Sequence, residues 1–218
     1  MKIEPGPDLT LYLVTDRGLS RGRRSADIVS EAVAGGVTCV QLRDKHSPTR
    51  ELIAEARRLK ALLRPAGIPL IINDRLDVAL AVEADGVHLG QQDMDIADAR
   101  LLTGPAMIIG ISVESLADAI RAERQGADYL GISPVFATPT KIDTAAALGL
   151  EGVTRIRRTV ALPLVGIGGI KADNAAAVIA AGADGVAVVS AIVAADCPRT
   201  AAAELKKRIA QARTGRRI

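Results

Sequence analysis

Gly126-Ala127-Asp128-Tyr129-Leu130-Gly131-Ile132-Ser133 compresses a helix end, a turn of small residues and a short apolar strand into one stretch. The same order recurs at Gly35-Gly36-Val37, Ala84-Asp85-Gly86-Val87 and Gly182-Ala183-Asp184-Gly185. Short Val-, Ile- and Leu-rich runs predict strands at Leu11–Thr15, Val37–Leu42, Pro69–Asn73, Gly86–Leu89, Ile108–Ser112, Tyr129–Ser133, Pro163–Ile167 and Gly185–Val189. The four turns precede the second, fourth, sixth and eighth runs, which predicts a unit that repeats by pairs. Helical segments lie between the strands. Thr49–Leu63 places Leu52, Ile53, Ala56, Leu59, Leu62 and Leu63 on one stripe, the spacing of an amphipathic helix. Helix starts are expected at Ser25, at Ser47-Pro48-Thr49 and at Asp173, residue types that accept hydrogen bonds from the free amides of a first turn.

Strands alternating with helices imply a parallel sheet. A closed (β/α)8 barrel, the TIM barrel, explains the pairwise repeat best. It is expected as one catalytic domain over residues 1–218, with 1–8 as an N-terminal extension and 213–218 as a basic tail. An open doubly wound sheet uses the same alternation but places a Gly-rich dinucleotide loop after its first strand. Here that strand ends Thr15-Asp16-Arg17-Gly18, and Gly166-Ile167-Gly168-Gly169 comes late and lacks the third Gly spacing.

Composition narrows the function classes. The chain has 218 residues, of which 49% are hydrophobic, too many for a disordered polymer. Only Phe136, Tyr12 and Tyr129 are aromatic, which argues against nucleic acid, since base-stacking platforms need aromatic rings. The net charge of +3 is concentrated at Arg21–Arg24 and in the tail, read as a solvated loop and a frayed end. Cys39 and Cys197 are too far apart in sequence for a disulfide framework or a zinc spacing, which fits a reducing cytoplasm. The N-terminus shows no signal peptide. Ala175–Ala195 is apolar enough to suggest a membrane span, but Gly182, Asp184 and Gly185 interrupt it, so no membrane is expected.

Barrel enzymes build their sites on loops after the carboxyl ends of the strands. Those positions hold Asp16, Gln41, Arg43, Lys45, Asn73, Asp74, Gln91, Asp93, Ser112, Thr138, Thr140, Lys141, Gly168, Gly169 and Ser190. Gly168-Gly169 is expected to lead into a helix whose N-terminus takes an anion, with Ser190 at the matching position of the next loop. The alternative is that Gly169 only makes a tight turn. Asp74 and Asp93 follow consecutive strands and could converge on one hard cation, with Lys45, Arg43 and Asn73 nearby. Magnesium takes few carboxylates plus phosphate oxygens, so this set reads as a pyrophosphate clamp. Each Asp alone reads equally as a helix N-cap. His46 lies in a charged turn, and His88 inside Val87-His88-Leu89 reads as a satisfied core residue. Chemistry that needs no strong protein base is therefore favoured.

Tyr12-Leu13-Val14-Thr15-Asp16, Gln41-Leu42-Arg43-Asp44-Lys45, Ile72-Asn73-Asp74-Arg75, Val87-His88-Leu89-Gly90-Gln91 with Asp93, Gly110-Ile111-Ser112, Pro134-Val135-Phe136 through Thr138-Pro139-Thr140-Lys141, Ile167-Gly168-Gly169-Ile170 and Val188-Val189-Ser190-Ala191 follow in order from Leu11 to about Ile192. Together they resemble the thiamine-phosphate synthase (thiamine-phosphate pyrophosphorylase) family. The resemblance implies a transferase that joins a pyrimidine diphosphate to thiazole phosphate, releasing pyrophosphate. It implies that Gln41, Leu42, Arg43, Asp44, Lys45, Asn73, Ser112 and Lys141 hold the pyrimidine diphosphate, with Lys141, Ser112, Arg43 and Lys45 acting on the departing group. It implies that Asp74 and Asp93 ligate Mg2+, and that Thr138, Pro139, Thr140, Gly169, Val189 and Ser190 hold the thiazole phosphate. The family's chemistry is dissociative, with a pyrimidine-stabilised carbocation captured by the thiazole nitrogen.

This chain has Ser133 where the family often has Gly, and Glu114 where it commonly has His. Related thiazole tautomerases use a His in that neighbourhood and lack the T-x-T-K stretch, so the intact Thr138–Lys141 favours the synthase. A tautomerase and a non-catalytic phosphate-binding barrel are the alternatives. The Thr138–Leu148 connection is long and is expected to close over substrate. A homodimer is compatible with the sequence, which carries no feature that sets oligomeric state.

Overall fold

The apolar runs become eight parallel strands: β1 (Leu11–Val14), β2 (Cys39–Leu42), β3 (Leu70–Asn73), β4 (Gly86–Leu89), β5 (Ile108–Val113), β6 (Tyr129–Ile132), β7 (Leu164–Gly166) and β8 (Gly185–Val188). They were obtained in a computed structural model that describes residues 6–138 and 146–215. Each strand pairs with its sequence neighbour and β8 pairs with β1, closing the (β/α)8 barrel. The helices are α1 (Ser25–Ala34), α2 (Thr49–Leu63), α3 (Leu76–Ala81), α4 (Ile96–Thr103), α5 (Leu116–Gln125), α6 (Gly149–Arg157), α7 (Ala175–Ala180), α8 (Ser190–Val193) and α9 (Pro198–Gly215).

Strand side chains alternate between two apolar layers, as the pleat requires. Leu11, Leu13, Val40 and Leu42 point outward and pack with helix residues such as Ile28, Leu52 and Leu59. Tyr12, Val14, Cys39, Ile71, Tyr129, Val165 and Ala187 fill the barrel interior. Two glycines make room for the inner rings. A Cβ on Gly110 would lie 2.1 Å from the Tyr129 ring, and one on Gly131 would lie 2.9 Å from His88 Cε1.

The pairwise repeat has a physical basis. Asp85, Asp128 and Asp184, each just before an even strand, accept the N–H of Leu70, Ile109 and Leu164 on the preceding odd strand at 2.8, 2.7 and 2.9 Å. Thr38 does the same for Leu11 at 3.0 Å. Each small-residue turn thus satisfies an amide at the start of the strand before it, where the ladder leaves a donor over. Arg100 and Arg157 brace Asp128 and Asp184 at 2.8 and 3.1 Å.

Several local expectations change. α1 and α2 begin at the expected places, but neither has a side-chain cap, because Arg24 and Pro48 stand at the N-cap. α7 begins at Ala175 with Asn174 at its N-cap, so Asp173 does not start it. The Arg21–Arg24 cluster is tied down: Arg21 pairs with Asp196 at 2.7 Å, and Arg23 donates to the Val193 carbonyl at 2.7 Å. Arg213 belongs to α9, where its guanidinium reaches the Asp184 carbonyl. Ala175–Ala195 divides into α7, β8 and α8, and no helix among the described residues is long and apolar enough to cross a membrane.

Candidate active site

The short helix α3 is preceded by a backbone kink in which Asp74 adopts φ 60°, a left-handed conformation that Asp tolerates better than most residues. The kink follows the last residue of β3. The Asp74 amide donates to the His88 carbonyl at 2.8 Å, which anchors the kink on β4. The carboxylate is not a helix cap. Arg75 holds the N-cap of α3 without a side-chain bond, and Asp74 Oδ2 lies 3.5 Å from Lys45 Nζ. The Asp93 carboxyl abuts it. Burial first, and then this second carboxylate, push Asp74 above the usual carboxylate range, while Lys45 pulls it back in part. Asp93 is likewise not the cap of α4, whose first turn is capped by Asp95 through the Ala97 amide. Asp93 Oδ2 instead accepts the Gly90 amide at 2.6 Å, closing the loop after β4.

The remaining expected residues divide between the mouth and other places. Half-buried Asn73 ends β3 beside Asp74. Arg43 leaves the acidic pair and binds Asp16 at 3.1 Å. It lines a cavity of about 520 Å³ beside Thr15, Arg17 and Asp44. Asp44 braces its own loop, accepting from Ser47 Oγ at 2.6 Å and from the amides of His46 and Ser47 at 3.0 Å each. Partial burial opposes ionisation, yet these bonds hold its carboxyl below the usual range. The Leu42 side chain faces the outer core, which leaves only its backbone for a ligand. Gln41 is buried and donates through Nε2 to Tyr12 Oη at 2.9 Å. Ser112 Oγ, near the carboxyl end of β5, is 2.9 Å from His88 Nε2. Pro139, Thr140 and Lys141 lie outside the described residues, as does most of the Thr138–Leu148 connection. Thr138 is half-buried just before them.

Across the barrel, β7 and β8 stand opposite β3 and β4 in the closed strand order. Gly169 has φ 63°, and a Cβ there would lie 2.8 Å from the Ala137 carbonyl oxygen. Glycine is therefore required at this turn. The turn does not open a helix directly. Asn174 spans it, accepting the Lys171 amide at 2.8 Å and donating to the Gly169 carbonyl at 3.0 Å, so that α7 starts only after this bridge. Val189 stands at the N-cap of α8 and Ser190 is its first residue.

The oxygen donors at Asp74 and Asp93 suit a hard cation. Two crowded carboxylates with one lysine between them and neutrality leave room for further positive charge. Among the described residues no group of three His, Cys, Asp or Glu side chains forms a metal cage. Were Asp74 and Asp93 to ligate such an ion, water and phosphate oxygens would complete its shell, the pattern of magnesium.

Residues 11–192 match the family described as thiamine monophosphate synthase. The chain belongs to that family. It is 55% identical over 199 residues to the thiamine-phosphate synthase of Chloroflexus aurantiacus, covering 91% of this chain and 92% of that protein. It is 57% identical over 201 residues to the thiamine-phosphate synthase of Albidiferax ferrireducens, covering 92% of each. The solved thiamine phosphate pyrophosphorylase of Pyrococcus furiosus superposes with a TM-score of 0.88 at 44% identity, covering 94% of this chain and 98% of that one. A 3-hexulose-6-phosphate synthase, at 18% identity and a TM-score of 0.66, shares the barrel fold.

The sequence reading did not find the interior chain formed by Gln41, Tyr12, Tyr129, His88 and Ser112. All five residues occupy inward-facing positions, and Gly110 and Gly131 vacate the space that the Tyr129 and His88 rings fill.

Proposed function

We propose that this chain joins 4-amino-2-methyl-5-(diphosphomethyl)pyrimidine to thiazole phosphate, giving thiamine phosphate and pyrophosphate. The observation that carries the reading is the meeting of Lys45, Asp74 and Asp93 at the barrel mouth in a member of this family. Asp74 and Asp93 would hold Mg2+, which offsets negative charge on the departing pyrophosphate. Lys45 adds a second positive charge beside that group, and Lys141 is assigned the same task by its place in the Thr138–Lys141 motif. Asn73, Ser112 and the loop from Gln41 to Lys45 hold the pyrimidine diphosphate, Leu42 contributing through its backbone. Gly169, Val189 and Ser190, with Thr138, Pro139 and Thr140, seat the thiazole phosphate on the opposite side.

No protein group has to remove a proton for the new bond to form, since the thiazole nitrogen already carries a lone pair. The protein's work is positioning and charge stabilisation. A reducing cytoplasm suits Cys39 and Cys197, neither of which is in a disulfide. The test is incubation with both precursors, with and without magnesium, while pyrophosphate and thiamine phosphate are measured. Release of both products only with magnesium is expected. Absence of pyrophosphate under either condition would overturn the reading.

A further inference from the structure

A line of hydrogen bonds crosses the barrel interior. Gln41 Nε2 donates to Tyr12 Oη at 2.9 Å, and Tyr12 Oη meets Tyr129 Oη at 2.9 Å. Tyr129 Oη meets His88 Nδ1 at 2.9 Å, and His88 Nε2 meets Ser112 Oγ at 2.9 Å. Both phenols are almost wholly enclosed, at 1% exposure each, so each must place its proton on a neighbour.

Proton counting gives this line a direction. The amide nitrogen of Gln41 can only donate, so Tyr12 oxygen accepts there. If the Tyr12 proton goes to Tyr129, the Tyr129 proton goes to His88 Nδ1, and every proton along the four bonds is used once. The reverse order would have Tyr129 donate to Tyr12 and leave the Tyr12 proton only the Cys39 sulfur, a weak acceptor, so the first order is favoured. In the first order the neutral imidazole carries its proton on Nε2 and donates it to Ser112 Oγ. The serine oxygen is then an acceptor within the barrel, and its own proton is directed elsewhere.

We propose that His88 is a positioning residue for Ser112: Tyr129 holds its ring as the Nε2–H tautomer, and the ring turns the serine hydroxyl to donate to an acceptor atom of the pyrimidine diphosphate. The proposal rests on the function proposed above for its substrate, but the tautomer does not depend on it. Tyr12 and Gln41 extend the same control to the far wall of the barrel. A chain of polarised hydrogen bonds in a dry interior keeps one orientation, because reversing it requires every member to turn.

Two measurements test this on the full chain. His46 and His88 are the only histidines, so long-range 1H–15N correlation spectra, assigned with His46→Gln, read the His88 tautomer directly. The Nε2–H form is expected, giving way to a mixture of tautomers in Tyr129→Phe. An Nδ1–H ring or a mixture in the unaltered chain overturns the proposal, whatever reaction the protein performs. In turnover assays Tyr129→Phe should lower kcat about tenfold, the worth of one hydrogen bond, while KM for thiazole phosphate stays unchanged. The same substitution in a Ser112→Ala background should cost nothing further. An equal loss in both backgrounds would mean that Tyr129 acts through packing alone and would overturn the proposal. Tyr12→Phe repeats the comparison one bond further away if Tyr129→Phe does not fold. A chain that folds, shows the Nε2–H ring and turns over neither precursor would refute the proposed function and leave the tautomer assignment intact.

Discussion

Lys45 Nζ stands 3.5 Å from Asp74 Oδ2, and the carboxyl of Asp93 abuts the same group. One lysine thus faces two carboxylates, and burial together with Asp93 holds Asp74 above its ordinary range. A carboxyl whose folded pKa exceeds its unfolded value keeps its proton longer in the native state. Stability therefore falls as pH rises through that window, and above it the native state carries the whole penalty. Asp74→Asn removes the repulsion and suits the left-handed backbone at this position. Without divalent cations it should raise Tm at pH 7, with a smaller gain near pH 4. Magnesium should raise Tm of the unaltered chain and leave Asp74→Asn unmoved. Thermal unfolding at both pH values checks this, and a lower Tm for Asp74→Asn at pH 7 would mean that the Lys45 pair dominates.

Asp93 has two tasks, the acidic pair and the bond to the Gly90 amide at 2.6 Å. Asp93→Ala should lower turnover at least ~100-fold, since the transition state loses several kcal/mol of charge stabilisation. Asp93→Asn keeps an acceptor for Gly90 but weakens the ligand, so it should be nearly as slow while holding the loop better. Pyrophosphate release at ordinary magnesium is the measurement, and near-normal rates in either variant would remove Asp93 from the site.

The strands were legible because each is a continuous run of apolar residues buried on both faces, bounded by turns. The repeat Ala84-Asp85-Gly86, Gly126-Ala127-Asp128, Gly182-Ala183-Asp184 was visible too, although its purpose was not. The bond from Asp128 to the Ile109 amide joins residues on two different strands. Helix starts were read less well. Residue type at Ser25 and Asp173 was compatible with a cap, but Ser25 is already the first residue of α1, with Arg24 at the N-cap, and α7 begins two residues beyond Asp173. The convergence of Asp74 with Asp93 followed from the barrel alone, since both sit after neighbouring strands. The Tyr12–Tyr129 contact did not: 117 residues separate the two, and a four-residue strand gives too short a period to say which ring turns inward.

The pairwise turns should be structural. Asp128→Ala leaves the Ile109 amide without its 2.7 Å partner and breaks the Arg100 pair at 2.8 Å. A buried donor left unsatisfied costs about 1–3 kcal/mol, and in a chain of this size each kcal/mol shifts Tm by roughly 2–4 °C. Asp128→Ala should therefore unfold several degrees earlier and, at a temperature where it is folded, turn over substrate as the unaltered chain does. A variant that lost activity without losing stability would contradict a purely structural task.

The chain contains two tyrosines and no tryptophan, so ultraviolet absorbance reports Tyr12 and Tyr129 alone. Burial, and for Tyr12 the neighbouring Tyr129 phenol, push both well above the usual tyrosine range. In the unfolded chain they ionise near about pH 10. The native state binds the extra protons above that pH, so the stability it gains from neutral phenols is complete below pH 10 and declines as pH rises further. Alkaline titration should show no phenolate absorbance while the far-ultraviolet circular dichroism is native, and then both signals should change together at unfolding. Phenolate appearing near pH 10 in a chain of native dichroism would mean that the barrel interior is wet, and the enclosed line from Gln41 to Ser112 could not stand.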